Sequence, residues 1–281
     1  MIMVKAAGYS DIGKVRKANE DSYLLNEPMG LFIVADGMGG HRAGGLASRI
    51  AVKVIDEYMT TSSAATGIQN PGKAGNPSEA ARRLHQSIAL ANQNVYTRSI
   101  KDAACRGMGT TVSALYLNGS SIITANVGDS PIYLLRNGEI ENLYTPHTLL
   151  HERKKIPKSL ADRVADGRLA HVLTRAVGIR SDVGVDLVET PCFEDDIIVL
   201  CSDGLSGKID REELRDMVYR HESEAACREL TALANQRGGE DNITVVIVRV
   251  TSINGKSAAG LMRRLSGIST WLTSFFNKGC K

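Results

Sequence analysis

A chain of 281 residues is long enough to bury a sizeable core, and its composition points to one large domain mixing helix and strand. Aromatic residues make up only 5% of it and no basic, aromatic-interleaved face stands out, which argues against nucleic-acid binding. The net charge of +3 is unevenly placed: residues 251–281 hold Lys256, Arg263, Arg264, Lys278 and Lys281 and no acid, so the rest of the chain is slightly acidic.

In chain order, residues 6–26 read as two short strands around the polar link from Asp11 to Asp21. Leu31 to Ala35 is a five-residue apolar run, read as a buried strand, and it ends on Asp36. Gly37, Gly39, Gly40, His41, Arg42, Gly44 and Gly45 follow. A carboxylate thus sits at the mouth of a buried strand, on a turn whose glycines let backbone carbonyls approach an ion or ligand closely. Leu46 to Met59 is predicted as a helix with Ala47, Ile50, Ala51, Val54, Ile55 and Tyr58 on one stripe. Thr60 to Pro77 reads as a mobile loop, and Ser78 as the cap of a second helix running to about Lys101.

Strands are expected at Thr111–Leu117, Ser121–Asn126, Ile132–Arg136 and Glu139–Leu143, with hairpin turns at Asn118-Gly119 and Asn137-Gly138. Residues 146–168 read as a charged surface excursion and His171 to Val177 as helical. Residues 185–200 and 243–250 return to strand, with a helix from Glu222 to Gln236 between them. Hairpin-joined strands imply antiparallel sheets, and two long consecutive helices imply helices packed outside them, an α+β arrangement.

The strand-end carboxylate recurs. Ile197–Cys201 leads to Ser202-Asp203-Gly204, and Ile122–Val127 to Gly128-Asp129-Ser130. In reverse sense, Gly239-Glu240-Asp241-Asn242 opens the strand from Ile243. Any one of these is ordinary turn chemistry; four aspartates at strand ends favour convergence on one site. Isolated aspartates without clustered His or Cys select hard cations, Mg²⁺, Mn²⁺ or Ca²⁺. Ligands from distant strands suit a two-metal site serving attack of water on a phosphoryl group. Arg16, close to Asp21, is the candidate for holding phosphate oxygens.

The same residues form an ordered set: Gly13-x-x-Arg16-x-x-Asn19-Glu20-Asp21, Val34-Ala35-Asp36-Gly37-Met38-Gly39-Gly40, Gly107-Met108-Gly109-Thr110-Thr111, Val127-Gly128-Asp129-Ser130, Leu173-Thr174-Arg175-Ala176-Val177-Gly178, Ser202-Asp203-Gly204-Leu205 and Gly239-Glu240-Asp241-Asn242-Ile243-Thr244. From about residue 5 to 250 the chain resembles the metal-dependent serine/threonine protein phosphatases of type 2C in their bacterial form. The resemblance implies a central sandwich of two antiparallel sheets flanked by helices, four layers in the order αββα. It implies Mn²⁺ or Mg²⁺, two ions per site. Asp36 is implied as the bridge, and Asp203 and Asp241 as completing the first ion. The Gly37 carbonyl is implied on the second, with Asp21 and Glu20 acting through water. Asp129 and Asp203 are implied on a weaker third ion, and Arg16 on the substrate phosphate.

Three positions depart from the family pattern. Met38 stands where animal members carry the His proposed as proton donor, leaving water or a neighbour such as His41 for that task. Pro146-His147-Thr148 replaces the family's Asp-His-Ser/Thr. Gly45 replaces a glutamate.

Other chemistries fit less well. No cysteine is followed by Arg six residues on, which excludes a cysteine-based phosphatase; Gly67 to Lys73 is a poor Walker loop. His147 and His151 have zinc-ligand spacing, but solvated surface histidines are the simpler reading. A catalytically silent phosphoprotein-binding module would lack a motif aspartate, and none is missing. Five cysteines without a CxxC pair, and no signal-peptide or membrane-length apolar run, point to a reducing, cytoplasmic location. Expected partners are phosphoserine and phosphothreonine proteins, a cognate kinase and its substrates among them. The domain is expected to span 1–250. Beyond it, residues 251–281 form a basic amphipathic tail, a candidate for membrane-surface or partner contact, with Leu261, Leu265, Ile268 and Leu272 at helical spacing.

Overall fold

Strand β3 (Leu31–Ala35) is buried on both faces, which is why it reads as an unbroken apolar run. Leu31, Ile33 and Ala35 belong to one apolar cluster, and Phe32 and Val34 to another. A strand alternates faces at every residue, so β3 separates two layers of core. The structure, a computed structural model, describes residues 2–39, 43–63, 77–152, 169 and 172–253.

The other strands are β1 (Ile2–Asp11), β2 (Ser22–Asn26), β4 (Gly37–Met38), β5 (Gly109–Thr110), β6 (Val112–Asn118), β7 (Ser121–Val127), β8 (Ile132–Arg136), β9 (Glu139–Asn142), β10 (Asp186–Pro191), β11 (Ile197–Cys201) and β12 (Ile243–Ile253). One sheet has the order β1-β12-β11-β8-β9 and the other β10-β7-β6-β3-β2, antiparallel throughout; β4 and β5 form a small ribbon. The helices are α1 (Ala43–Ser63), α2 (Glu79–Lys101), the single turns α3 (Leu149–Glu152) and α4 (Asp203–Ser206), α5 (Arg211–Arg220) and α6 (Ser223–Gln236).

Three apolar seams produce the four layers. Ile55, Met59, Leu84 and Ile88 of α1 and α2 cover one sheet. Phe32, Leu115, Ile122, Ile198, Leu200 and Val246 fill the space between the sheets. Leu214, Val218, Leu230 and Ala234 of α5 and α6 cover Val199, Val245 and Ile247. The expected αββα sandwich is the observed one. No helix among the described residues is long and apolar enough to cross a membrane.

Several local expectations need correction. The turn at Asn137-Gly138 has φ of 53° and 83° at its two residues, as a tight hairpin demands, but Asn118 pairs with Ser121, so the other turn is Gly119-Ser120. Residues 185–200 are not one strand run: β10 and β11 lie in different sheets, and the chain crosses between them. The segment Val172 to Val177 is not helical; Leu173 bridges to Thr148 and Val177 to Thr110. Helix α5 went unread, because Leu214 and Val218 are its only buried residues. Helix α1 extends past Met59 to Ser63, while residues 64–76, and most of the expected excursion at 146–168, lie outside the described residues. The strand expected to end at 250 continues to Ile253, paired with Ile2.

Candidate active site

Strand register brings the aspartates to one end of the sandwich. Ser22 pairs with Ala35, which sets Asp21 beside Asp36. Cys201 pairs with Val245, and Ile243 with Asp11, which sets Asp203, Asp241 and the 11–21 loop at the same end. Val127 pairs with Val112, so the Gly128-Asp129 turn is there too.

Glycines make the approach possible. A Cβ on Gly37 would lie 2.3 Å from the Gly44 carbonyl oxygen and 2.4 Å from that of Glu20. One on Gly204 would lie 2.1 Å from the Asn242 oxygen, and one on Gly13 2.2 Å from that of Asp241. All three partners are backbone atoms, which cannot swing aside. Side chains then fix the loops. The buried Asn242 accepts from the Glu20 N–H at 2.8 Å and donates to the carbonyls of Ile12 and Ala18 at 2.9 and 3.0 Å. Asn19 accepts from the Asp21 N–H at 3.1 Å, and Ser48 donates to the Glu20 carbonyl at 2.6 Å. Thr111 Oγ1 receives the Asp36 N–H at 3.0 Å and pairs with Ser130 Oγ at 2.7 Å.

The carboxylates act on one another. Burial, then the charges of Asp21, Asp203 and Asp241, hold the Asp36 carboxyl well above the usual range, and Asp203 lies within hydrogen-bonding reach of it. Asp21 is pushed up to about 6, first by burial and then by Asp203 and Asp241, against hydrogen bonds from Thr244 and Ser202. Thr244 Oγ1 donates to Asp21 Oδ2 at 2.6 Å, while the buried Asp21 Oδ1 has no hydrogen-bond partner among the described residues. Arg16 Nη2 stands 2.6 Å from Asp241 Oδ2, so the arginine expected on phosphate is paired with an aspartate of the cluster. Among the described residues no three His, Cys, Asp or Glu side chains are drawn tightly enough to cage an ion. The all-oxygen set of aspartates could hold only a hard cation.

Met38 pairs with Gly109 in the β4–β5 ribbon, and His41 lies outside the described residues. At Gly45, a Cβ would come within 3.2 Å of the exposed Arg49 guanidinium, a tight contact with the end of a flexible side chain. His147 is not a solvated histidine: it is 1% exposed and bonded to Asp186, whereas His151 is exposed. Sequence reasoning missed the loop-stitching roles of Asn242, Asn19, Thr111 and Thr244. Their only signal was their place inside the ordered motifs.

Comparison with known proteins agrees with this fold. The family model for protein phosphatase 2C matches residues 14–243. The serine/threonine phosphatase stp of Listeria welshimeri is 35% identical over 247 residues, covering 85% of this chain and 93% of that protein. PppA of Pseudomonas aeruginosa, described as a key regulatory component of T6SS, superposes with a TM-score of 0.73 at 32% identity, over 88% of this chain and 97% of its own. The catalytic domain of the phosphatase PstP, solved with two manganese ions, gives 0.71 at 29% identity, over 90% of this chain and 100% of its own.

Proposed function

For a chain that belongs to the protein phosphatase 2C family, and is therefore a metal-dependent protein-serine/threonine phosphatase, we propose that phosphoserine and phosphothreonine are hydrolysed at a binuclear Mn²⁺ or Mg²⁺ centre organised on Asp36. Asp36, Asp203, Asp241, Asp21 and the Gly37 carbonyl would hold the two ions, and Asp129 with Asp203 a weaker third. Bound there, the ions supply a water nucleophile at neutral pH and positive charge against the phosphoryl oxygens.

The observation that carries this reading is the convergence of Asp21, Asp203 and Asp241 on the Asp36 carboxyl, whose ionisation their charges oppose, together with the buried Asp21 Oδ1, which has no hydrogen-bond partner among the described residues. Holding these carboxylates side by side, with those of Asp21 and Asp36 desolvated, is unfavourable unless cations compensate their charge. The residues present fit a hard divalent ion: the donors are all oxygens, and Gly37 leaves its peptide unshielded by a side chain.

The chain's own groups do the rest. Arg16 is exposed at the rim, and pairing with Asp241 uses one arm of its guanidinium fork, leaving other donors for phosphate oxygens. Asn242 holds the Glu20 N–H beside Asp21, Thr244 the Asp21 carboxylate and Thr111 the Asp36 N–H, so that little reorganisation is needed when substrate binds. Met38 has no proton to give the departing serine or threonine oxygen, so water or His41 takes that role. The phosphoprotein substrates include those of a cognate serine/threonine kinase.

Hydrolysis of a phosphothreonine peptide, measured with Mn²⁺, with Mg²⁺ and after exhaustive chelation, tests the reading. Activity is expected with either ion and none after chelation; full activity in the chelated protein would overturn it.

A further inference from the structure

His147 is a buried imidazole that the reading above leaves unused. Each ring nitrogen has a partner. The Gly128 N–H donates to Nδ1 at 3.1 Å, and Asp186 Oδ2 lies 3.0 Å from Nε2. An amide N–H can only donate, so Nδ1 carries a lone pair, which assigns the ring proton to Nε2, between Asp186 Oδ2 at 3.0 Å and Arg175 Nη1 at 3.2 Å. The other Asp186 oxygen accepts from Arg175 Nη1 at 2.7 Å, and Arg175 Nη2 reaches Glu152 Oε1 at 3.4 Å.

The backbone of His147 repeats the contact. Its N–H donates to the Gly128 carbonyl at 2.9 Å, and its own carbonyl accepts from Thr174 N–H at 2.8 Å. His147 thus bonds both polar groups of Gly128, whose carbonyl also accepts from Asn126 Nδ2 at 3.1 Å. Gly128 has φ of +112°, and a Cβ there would lie 2.6 Å from the Thr111 side chain. Only glycine fits, and glycine on its own would leave the turn before Asp129 loosely defined.

We propose that His147 is a positioning residue for Asp129. Receiving the Gly128 N–H and capping its carbonyl, it fixes the turn that carries the aspartate, and Asp186 with Arg175 fixes the ring. The proposal rests on the reading of Asp129 as a ligand of the weaker ion. Hydrogen-bond partners one step behind a metal ligand typically govern affinity by about 10–100-fold.

The test is Mn²⁺ calorimetry on the full-length chain and four variants, with thermal unfolding and Gly128 amide exchange read on the same samples. Asp129→Asn should weaken the weakest binding event. His147→Gln keeps a donor near Asp186 but offers nothing at Nδ1; it should weaken that event by roughly tenfold or more and speed Gly128 exchange. His147→Asn, which puts an oxygen near the Nδ1 position, should recover most of the loss. A role in packing alone would lower the melting temperature alike in both and leave the calorimetry unchanged, overturning the proposal. If Asp129→Asn changes no event, the ligand reading fails and the proposal falls with it. If neither His147 variant folds, Asp186→Asn decides: a weakened weakest event supports the positioning role, an unchanged one refutes it.

Discussion

Arg16 and Asp241, 225 residues apart in sequence, meet in an ion pair with Nη2 2.6 Å from Oδ2. The pair is exposed on both sides, 52% and 36%, so as a stabilising contact it is worth at most about 1 kcal/mol. Arg16→Ala should leave the melting temperature almost unchanged. It should raise KM for phosphopeptides about tenfold or more, the scale of a lost charge-assisted hydrogen bond, with a smaller effect on kcat. An unchanged KM with collapsed metal affinity would assign Arg16 to the metal site instead.

Asp36→Asn removes the carboxylate that burial and three neighbouring charges oppose. Turnover should be nearly abolished. Without metal, however, the variant should be more stable than the native chain by roughly 1–3 kcal/mol, the cost of an uncompensated buried polar group. Mn²⁺ should raise the melting temperature of the native chain and not of the variant. A less stable metal-free variant would contradict the charge-strain account.

The glycines separate into two classes. Gly204→Ala would press a methyl to 2.1 Å from the Asn242 carbonyl oxygen, a backbone atom, and should cost about 2–4 kcal/mol together with activity. Gly138→Ala meets nothing within 4 Å and is opposed only by its φ of +83°, a cost of about 1–2 kcal/mol. Chemical denaturation of the two variants should preserve that order.

The thiols should be silent in the native state. Cys105, Cys192, Cys201 and Cys227 are buried and unpaired, and burial pushes Cys192 and Cys227 up to about 12 and Cys201 further still. Since the thiolate is the reactive form, labelling at pH 8 in a Cys280→Ser background should require unfolding. Rapid native labelling would mean the core opens locally.

Residues 254–281 lie outside the described residues, and we propose that this basic tail localises the enzyme without contributing to its chemistry. Truncation after Ile253, which preserves the Ile2–Ile253 pairing, should leave phosphopeptide turnover intact and reduce sedimentation with anionic vesicles. Lost turnover would make the tail part of the domain; equal sedimentation of both forms would remove the membrane role.

Much of this was readable because β3, β7, β11 and β12 are doubly buried and each is bordered by an Asp beside Gly or Asn. Apolar runs mark the strands, and the breaks in them mark the candidate site. Where tertiary contacts outweigh local pattern, reading failed. Val172, Leu173, Ala176 and Val177 have helical spacing, yet bridges to Thr148 and Thr110 extend that segment. His147 gave no hint of burial because Arg175 and Asp186, which fix it, are 28 and 39 residues away. Helix α5 could have been found: Asp210 and Glu213 form a capping box visible as Asp-x-x-Glu, although the helix offers few apolar residues.

The placement of β12 bears on how the protein is made. It is the last described strand, yet it lies inside its sheet, between β1 and β11. During synthesis, which proceeds from the N-terminus, β1 emerges first and waits for nearly the whole domain before its neighbour exists. Until then β1 and β11 present open backbone edges of the kind that recruit other chains. Asp241, just before β12, arrives in the same final stretch. A nascent or prematurely terminated chain is thus aggregation-prone, and with the ligand set proposed above it would act on phosphoproteins only after its second sheet has closed.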